Sequence, residues 1–310
     1  MPSPRCRSIL VTGCSSGIGR ATVAALLAED FHVFAGVRST ADAERLQAEF
    51  GDGVTALTLD VTRAEQIRHA AEDVRRLAPE GLAALVNNAG VGAPGPIELA
   101  DPEELRRLFE VNAIGALQMM QAFLPHLRRG SGRIVNLSSM NGVISLPMVG
   151  AYSASKFALE AISDALRIEL MPWKIPVVVI RPGQVRTPIF GKARVEIERR
   201  RGEVPAHLAT GYETPYRRTA KFNDRGDQSA TSPEAVARVI VKAITCRRPR
   251  RQYHVGWDAI GLRIAQRFVP GRLLDRALGR AIGSLRRQPR PQDEPAQSPA
   301  AAASGSPIGP

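Results

Sequence analysis

Tyr152 and Lys156 stand four residues apart in the run Tyr-Ser-Ala-Ser-Lys, and on an α-helix that spacing stacks the two side chains on one face. A tyrosine, with an ordinary pKa of about 10, is a poor base at neutral pH, but an ammonium within a few ångströms favours the phenolate. A downward shift of roughly one unit or more turns the phenol into a usable general acid or base near pH 7. By itself the pattern is weak, because a surface tyrosine above a lysine on one helix face is commonplace. Its weight depends on the company it keeps.

A second constellation stands near the start of the chain, Thr12-Gly13-Cys14-Ser15-Ser16-Gly17-Ile18-Gly19, between an apolar run and the first helical stretch. Glycines at such a junction let backbone amides and the positive end of a helix approach a phosphate that a Cβ would hold off. Gly13, Gly17 and Gly19, with Ser15, Ser16 and Ile18 among them, are candidates for binding a dinucleotide pyrophosphate, spaced G-x-x-x-G-x-G rather than as the commoner G-x-G-x-x-G. An ordinary tight turn would use the same residues. So would a different chemistry: residues 13–17 also spell G-x-S-x-G, the strand-to-helix elbow that makes a serine the nucleophile of an α/β-hydrolase, here Ser15. Asp224 and His254 can be named as its partners, but no spacing ties them to it, and Gly19 has no task in an elbow. Cys6, Cys14, Cys246 and the five histidines lack the spacing of a metal site or a disulfide framework. No metal is expected, and a reducing, cytoplasmic setting is. Cys14 reads either as a small residue filling the loop or as a redox-sensitive thiol.

These groups need a frame. A chain of 310 residues suits one large α/β domain with a tail. Hydrophobic residues make up 44% and aromatics only 5%, a composition fit for a parallel sheet buried under helices on both faces. Apolar runs at 8–12, 31–36, 54–59, 83–87, 133–137 and 176–180 alternate with helical stretches such as 19–29, 64–77, 102–127 and 152–171. That alternation predicts a single doubly wound, Rossmann-type α/β sheet, whose ligands lie at the carboxyl ends of its strands. Residues 188–231 are polar and punctuated by Gly and Pro, with no strand or long apolar helix in evidence, and read as a variable substrate loop of the lid kind. Ser232-Pro233-Glu234 opens a further helix, and 252–255 is a last strand. Residues 1–256 are thus the expected catalytic domain, 257–287 a basic amphipathic helical extension, and 288–310, rich in Pro, Ala, Ser and Gly, a disordered tail. The formal charge of +12 gathers late in the chain: between 242 and 290, 13 basic residues face only Asp258 and Asp275. No apolar run is long enough to cross a membrane.

In chain order the sequence carries TGCSSGIG at 12–19, Asp60-Val61, Asn87-Asn88-Ala89-Gly90, Asn112, Ser138-Ser139, Tyr152 with Lys156, and Arg181-Pro182-Gly183. With this ordered set the chain resembles the short-chain dehydrogenase/reductase family over residues 7–256. Its runs FAGVRS and YSASKFALEAISDALRIEL look most like the 17β-hydroxysteroid and retinol dehydrogenase branch. The resemblance implies an NAD(P)-dependent oxidoreductase acting on CH–OH groups. It gives Gly13, Gly17 and Gly19 to the pyrophosphate, Asp60 and Val61 to the adenine side, and Asn88, Ala89 and Gly90 to the turn beside the nicotinamide ribose, a turn in which Asn87 also steadies the central strand. Asn112 matches the asparagine that supports a water-mediated proton relay to the lysine. The family's serine lies 13 positions before its tyrosine, which selects Ser139 over Ser138; its hydroxyl would stabilise charge on the substrate oxygen. Lys156 would lower the Tyr152 pKa and bind the nicotinamide ribose. Pro182, Gly183, Val185 and Thr187 match the segment facing the nicotinamide, with Thr187 at its carboxamide. Reduction then delivers hydride to the carbonyl carbon while Tyr152 protonates the oxygen, and oxidation reverses it. A catalytically idle NADPH-binding regulatory protein is the remaining reading, and the intact set of Asn112, Ser139, Tyr152 and Lys156 speaks against it.

No acidic residue closes the second strand, which reads Phe-Ala-Gly-Val-Arg-Ser at 34–39. Arg38 stands where it can grip a ribose 2′-phosphate, so NADP(H) is expected over NAD(H); as a plain solvated residue it would leave NAD(H) open. The resemblance suggests a bulky hydrophobic alcohol or ketone, steroid-, retinoid- or lipid-like. Ile189, Phe190, Leu208, Tyr212, Tyr216 and Phe222 either wall an apolar pocket or anchor the loop. The stretches 102–127 and 152–171 look like the pair this family uses for homodimers and homotetramers. Segment 257–287 either packs on the enzyme body or lies on an anionic membrane surface as a peripheral contact. Without a recognised motif or an aromatic platform, no nucleic-acid partner is expected.

Overall fold

The computed structural model describes residues 7–284. Seven strands, β1 (Ser8–Thr12), β2 (His32–Val37), β3 (Val54–Thr58), β4 (Ala84–Asn87), β5 (Arg133–Leu137), β6 (Val177–Pro182) and β7 (Gln252–Val255), form one sheet in the order β3-β2-β1-β4-β5-β6-β7. Every neighbouring pair is parallel, so each connection crosses a face of the sheet and brings a helix with it.

Because side chains alternate across a strand, the apolar runs feed two cores at once. Ile9 and Val11 of β1, Val33 and Ala35 of β2 and Val178 and Ile180 of β6 pack with α1 (Gly17–Leu27), α2 (Thr40–Phe50) and α9 (Pro233–Thr245). Leu10, Phe34 and Val177 point the other way, toward α3 (Ala64–Leu77), α5 (Gly115–Gly130) and α6 (Gly150–Glu169). Side chains such as Phe34, Leu85 and Phe123 are fully buried, each contributing about 1.5–3 kcal/mol relative to an exposed position. One polar anchor joins the layers: Arg133, first residue of β5 and almost fully buried, donates to the carbonyls of Ala243 (2.7 Å) and Cys246 (2.8 Å) at the end of α9.

Three stretches differ from the sequence reading. Helix α2 was not anticipated: it buries only Leu46, too little to show as an apolar stripe. The stretch 102–127 is not one regular helix; α4 (Pro102–Phe109) passes through a single π turn, Glu110–Ile114, into α5. Residues 188–231 are not a loop but two helices, α7 (Pro188–Gly202) and α8 (Ala206–Ser229). Their order rests on ion pairs rather than an apolar stripe. Arg199 pairs with Glu196 and Glu203, Arg201 with Glu213, and Arg200 with Glu104 of α4, while a small cluster of Met148, Ile197 and Tyr216 sits beneath. Charged pairs of this kind leave no hydrophobic period to read. The C-terminal segment forms α10 (Trp257–Phe268) and α11 (Gly271–Ile282). The tail expected at 288–310 lies outside the described residues.

Candidate active site

Strand order reverses between β1 and β4, and in a doubly wound sheet the crevice at that switch, outside the carboxyl ends of the strands, is where ligands bind. Every residue singled out for chemistry follows a strand end or sits on a helix beside it. Past β1, Gly13 (φ 71°) and Gly17 (φ 56°) hold the left-handed conformation that side chains resist. A Cβ on Gly13 would lie 2.9 Å from the Ala89 Cα, and one on Gly19 would collide with the Gly13 carbonyl. The start of α1 is open: Ser16 is extended and gives no side-chain cap, and no acidic residue occupies the first turn. This cradle of bare backbone and uncapped amides fits a diphosphate.

Asn88 braces the cradle. Its Nδ2 donates to the carbonyls of Thr12 (2.8 Å) and Gly13 (3.0 Å), and the amides of Asn88 and Ala89 donate to Thr12 Oγ1, both at 3.0 Å. Asn87 instead points into the sheet, donating to Asn136 Oδ1 at 2.9 Å. Arg38 follows β2 and is exposed, with no ion-pair partner among the described residues. Asp60 follows β3 and accepts from the amide and hydroxyl of Thr62, while Val61 packs against Gly115.

Ser139 follows β5, and its Oγ accepts from the Asn141 amide at 3.1 Å. Tyr152, in the first turns of α6, lies beside Ser139, whose hydroxyl favours its phenolate. One turn on, the Lys156 Nζ lies 5.9 Å from the centre of the Tyr152 ring and donates to the Leu137 carbonyl at 2.9 Å. Burial pushes the Tyr152 phenol above its ordinary pKa, and the Ser139 hydroxyl offsets only part of that rise. Burial also brings the Lys156 ammonium down to about 8, against an opposing pull from Glu160. The acidified tyrosine expected from the Tyr–Lys spacing is therefore not what the chain alone holds: burial raises the phenol, and the one opposing influence is Ser139 and not the lysine.

Asn112 sits inside the π turn. Its Oδ1 accepts from the Val91 amide (2.9 Å) and its Nδ2 donates to the Val91 carbonyl (2.9 Å) and to Ser155 Oγ (2.9 Å). Gly90 lies between Asn112 and Lys156, where a Cβ would come within 3.2 Å of Asn112 Oδ1 and 3.5 Å of Lys156 Nζ. Pro182 ends β6, Gly183 follows it, Val185 bridges to Thr231, and Thr187 caps the start of α7 without a side-chain bond. Ser138 lies beneath the site with its hydroxyl unpartnered.

Two contributors were missed in the sequence. Glu160, one turn beyond Lys156, makes a buried two-pronged ion pair with Arg181 of β6, both contacts at 2.8 Å. The i+4 step from Lys156 was readable, but the partner depends on packing. Arg45 of α2 donates to the Ser15 carbonyl at 3.1 Å while paired with Asp42. The hydrolase alternative finds no triad. His254 lies on β7, four strands from the β1 end that carries Ser15, about 19 Å at 4.8 Å per strand. Its ring is held neutral by burial, with a pKa near 4, and Asp224 pairs with Arg194. The Cys14 thiol is fully buried, donates to the Val11 carbonyl at 3.1 Å and has its pKa raised by desolvation, so it is a filling residue and not a reactive one.

Residues 7–198 match the short chain dehydrogenase family. The chain is 35% identical over 276 residues to an NADPH-dependent 3-dehydrocapnine reductase of Ornithobacterium rhinotracheale, covering 87% of this chain and 95% of the relative. It is 33% identical over 280 residues to human retinol dehydrogenase 16, covering 87% of each. Among solved structures, a short-chain dehydrogenase from Streptomyces avermitilis superposes with a TM-score of 0.71 at 32% identity, over 89% of this chain and 98% of that one. The protein belongs to the short-chain dehydrogenase/reductase family and is an oxidoreductase of the kind that acts on alcohol and ketone groups.

Proposed function

We propose that this enzyme moves a hydride between NADP(H) and the alcohol or ketone carbon of a bulky, hydrophobic substrate. The observation that carries the reading is the grouping of Tyr152, beside Ser139, with a buried Lys156 one turn away, at the strand ends beside the open glycine turn. When bound, the dinucleotide supplies or accepts the hydride. Tyr152 gives the substrate oxygen its proton in reduction and takes it in oxidation. Ser139 hydrogen-bonds that oxygen and stabilises the charge developing there. Lys156 holds the nicotinamide ribose and renews the tyrosine proton, with Asn112 steadying the relay behind it.

Gly13, Ser15, Ser16, Gly17, Ile18 and Gly19 cradle the pyrophosphate; Asp60 and Val61 flank the adenine; Asn88, Ala89 and Gly90 line the ribose; and Pro182, Gly183, Val185 and Thr187 face the nicotinamide. The free guanidinium of Arg38 suits a 2′-phosphate, and a relative that matches nearly the whole chain is named as NADPH-dependent. For the substrate, a cavity of about 370 Å³ is walled by Ile97, Leu146, Met148, Tyr212 and Ile282 and reaches Gly150, two residues before Tyr152. A mostly apolar lining of this size suits the apolar body of a bulky substrate, in keeping with the retinol dehydrogenase relative. Apolar side chains exposed on α6, Phe157 and Ile168, and Ile114 beside α5 support assembly into homodimers or homotetramers through these helices. The C-terminal helices favour a peripheral membrane contact: Trp257 and Phe268 are 88% and 77% exposed, amid Arg263, Arg267, Arg272 and Arg276.

The test is NADPH consumption over a panel of steroids, retinoids and small ketones. The parent is expected to turn over the bulky apolar members. Tyr152→Phe should keep NADPH affinity within about threefold while turnover drops by roughly 10²–10⁴-fold. A Y152F enzyme as fast as the parent would remove the proton donor named here.

A further inference from the structure

The turn after β6 is held mostly by backbone. The Gly183 amide donates to the Val255 carbonyl (2.8 Å), and the Gln184 carbonyl accepts from the Thr231 amide (3.0 Å). The Gln184 amide is the exception, for it donates to the Asp258 carboxylate, Oδ2, at 2.6 Å. Asp258 lies in the first turn of α10, where the helix dipole favours a negative charge, and a hydrogen bond to an ionised acceptor is roughly twice as strong as a neutral one. The carboxylate fills the place a side chain at 183 would take: a Cβ on Gly183 would collide with both of its oxygens. A Cβ on Gly256, which holds φ 101°, would also come up against Asp258 Oδ1. Two glycines thus clear the way for one carboxylate.

The same helix is tied a second time. Gln266 Nε2 donates to the Val143 carbonyl at 2.6 Å, the residue that closes the turn Met140–Gly142 behind Ser139. Eight residues of α10, about 12 Å at 1.5 Å per residue, therefore brace the turn after β6 against the serine segment. Both tethers lie beyond residues 7–198, the part matched to the family.

We propose that Asp258 is a positioning residue for hydride transfer, acting from the C-terminal helices through the Gln184 amide to fix the turn at 182–187. The inference rests on the proposed function, which sets that turn against the nicotinamide. Asp258 acts on ring placement and not on affinity, because the pyrophosphate and adenine ends of the dinucleotide are held elsewhere. The experiment compares the full-length parent with Asp258→Ala and Asp258→Asn; an asparagine Oδ1 can still accept from the Gln184 amide.

Hydrogen exchange on cofactor-free protein should show the 183–187 segment exchanging about tenfold faster or more in D258A, with the sheet strands unchanged. With cofactor, D258A should hold the NADPH Kd, read by nucleotide fluorescence, within about threefold while kcat falls roughly 10- to 100-fold, as expected when reacting atoms are misplaced by an ångström or less. D258N should recover most of both effects. Unchanged exchange in D258A overturns the proposal, as does faster exchange with an unaltered kcat. A D258N protein as impaired as D258A, with both melting at lower temperature and losing NADPH in parallel, reduces Asp258 to a structural residue and overturns it too. A parent that leaves NADPH fluorescence unmoved gives a different pattern and removes the proposed function together with this role.

Discussion

At the scale of single residues, the site is governed by desolvation. Tyr152 and Lys156 are driven in opposite directions by the same cause, the phenol upward and the ammonium down to about 8, because burial penalises whichever form is charged. The pair is thus set as a protonated donor beside a cation that is lost just above neutrality. Reduction needs the phenol protonated and the ammonium charged, and both conditions fail as pH rises. For the free enzyme, kcat/KM for reduction should stay level below pH 8 and fall with an apparent midpoint near 8, the limb belonging to Lys156. Oxidation needs the phenolate, so its kcat/KM should climb across the same range. A reduction rate that rises between pH 7 and 9 would contradict this arrangement. The buried Glu160–Arg181 pair keeps a compensated carboxylate one turn from Lys156, and removing Glu160 alone would leave Arg181 charged and unpaired in the core.

At the scale of elements, the glycine turn and the π turn do related work: each brings backbone or an amide side chain to a place regular structure does not reach. The close fit of Gly19 to the Gly13 carbonyl and to Asn88 makes Gly19→Ala a direct probe. It should lift α1 from β1 and weaken NADPH binding at least about tenfold, with a loss of stability of roughly 1–3 kcal/mol from overpacking; nucleotide titration and thermal melting check both, and a G19A protein with parental affinity would argue against the cradle. Elements like these were legible in the sequence to different degrees. β1, β5 and β7 were read to the residue, β1 because a strand buried on both faces prints as an almost continuous apolar run, and the glycines of 13–19 announce themselves by type. The π turn left no mark, and the two hydrogen bonds that join its Asn112 to the Val91 backbone span 21 residues, a contact that local sequence does not show. Helices α7 and α8 were hidden because ion pairs order them, and charged residues read equally well as solvated loop. Glu160 and Asp258 were plain acids until packing supplied their partners, Arg181 and the Gln184 amide.

At the scale of the whole molecule, the two parts of the chain present different surfaces. Among the described residues no helix is long and apolar enough to cross a membrane, yet Trp257, Ile264, Phe268 and Leu273 stand out from α10 and α11 in solvent. Vesicles of phosphatidylcholine with phosphatidylserine should sediment the protein, pure phosphatidylcholine should do so less, and raised salt should release it as the arginines are screened. Replacing Trp257 and Phe268 by Ser should cut partitioning about tenfold or more, given roughly 1.5–3 kcal/mol for each large apolar side chain buried. Retention of parental sedimentation by that double variant would discard the lipid contact, and concentration-dependent self-association abolished by it would give the surface to a second copy. The Arg133 anchor carries a consequence for synthesis. Its acceptors, the carbonyls of Ala243 and Cys246, lie 110 and 113 residues downstream, and a guanidinium enclosed without them costs several kcal/mol. A nascent chain halted short of residue 246 has its dinucleotide half translated but cannot seal β5 into the interior. Burial of the start of β5 waits on the ribosome releasing α9, and the sheet closes only when β7 follows; until then the growing polypeptide offers chaperones an unfinished edge.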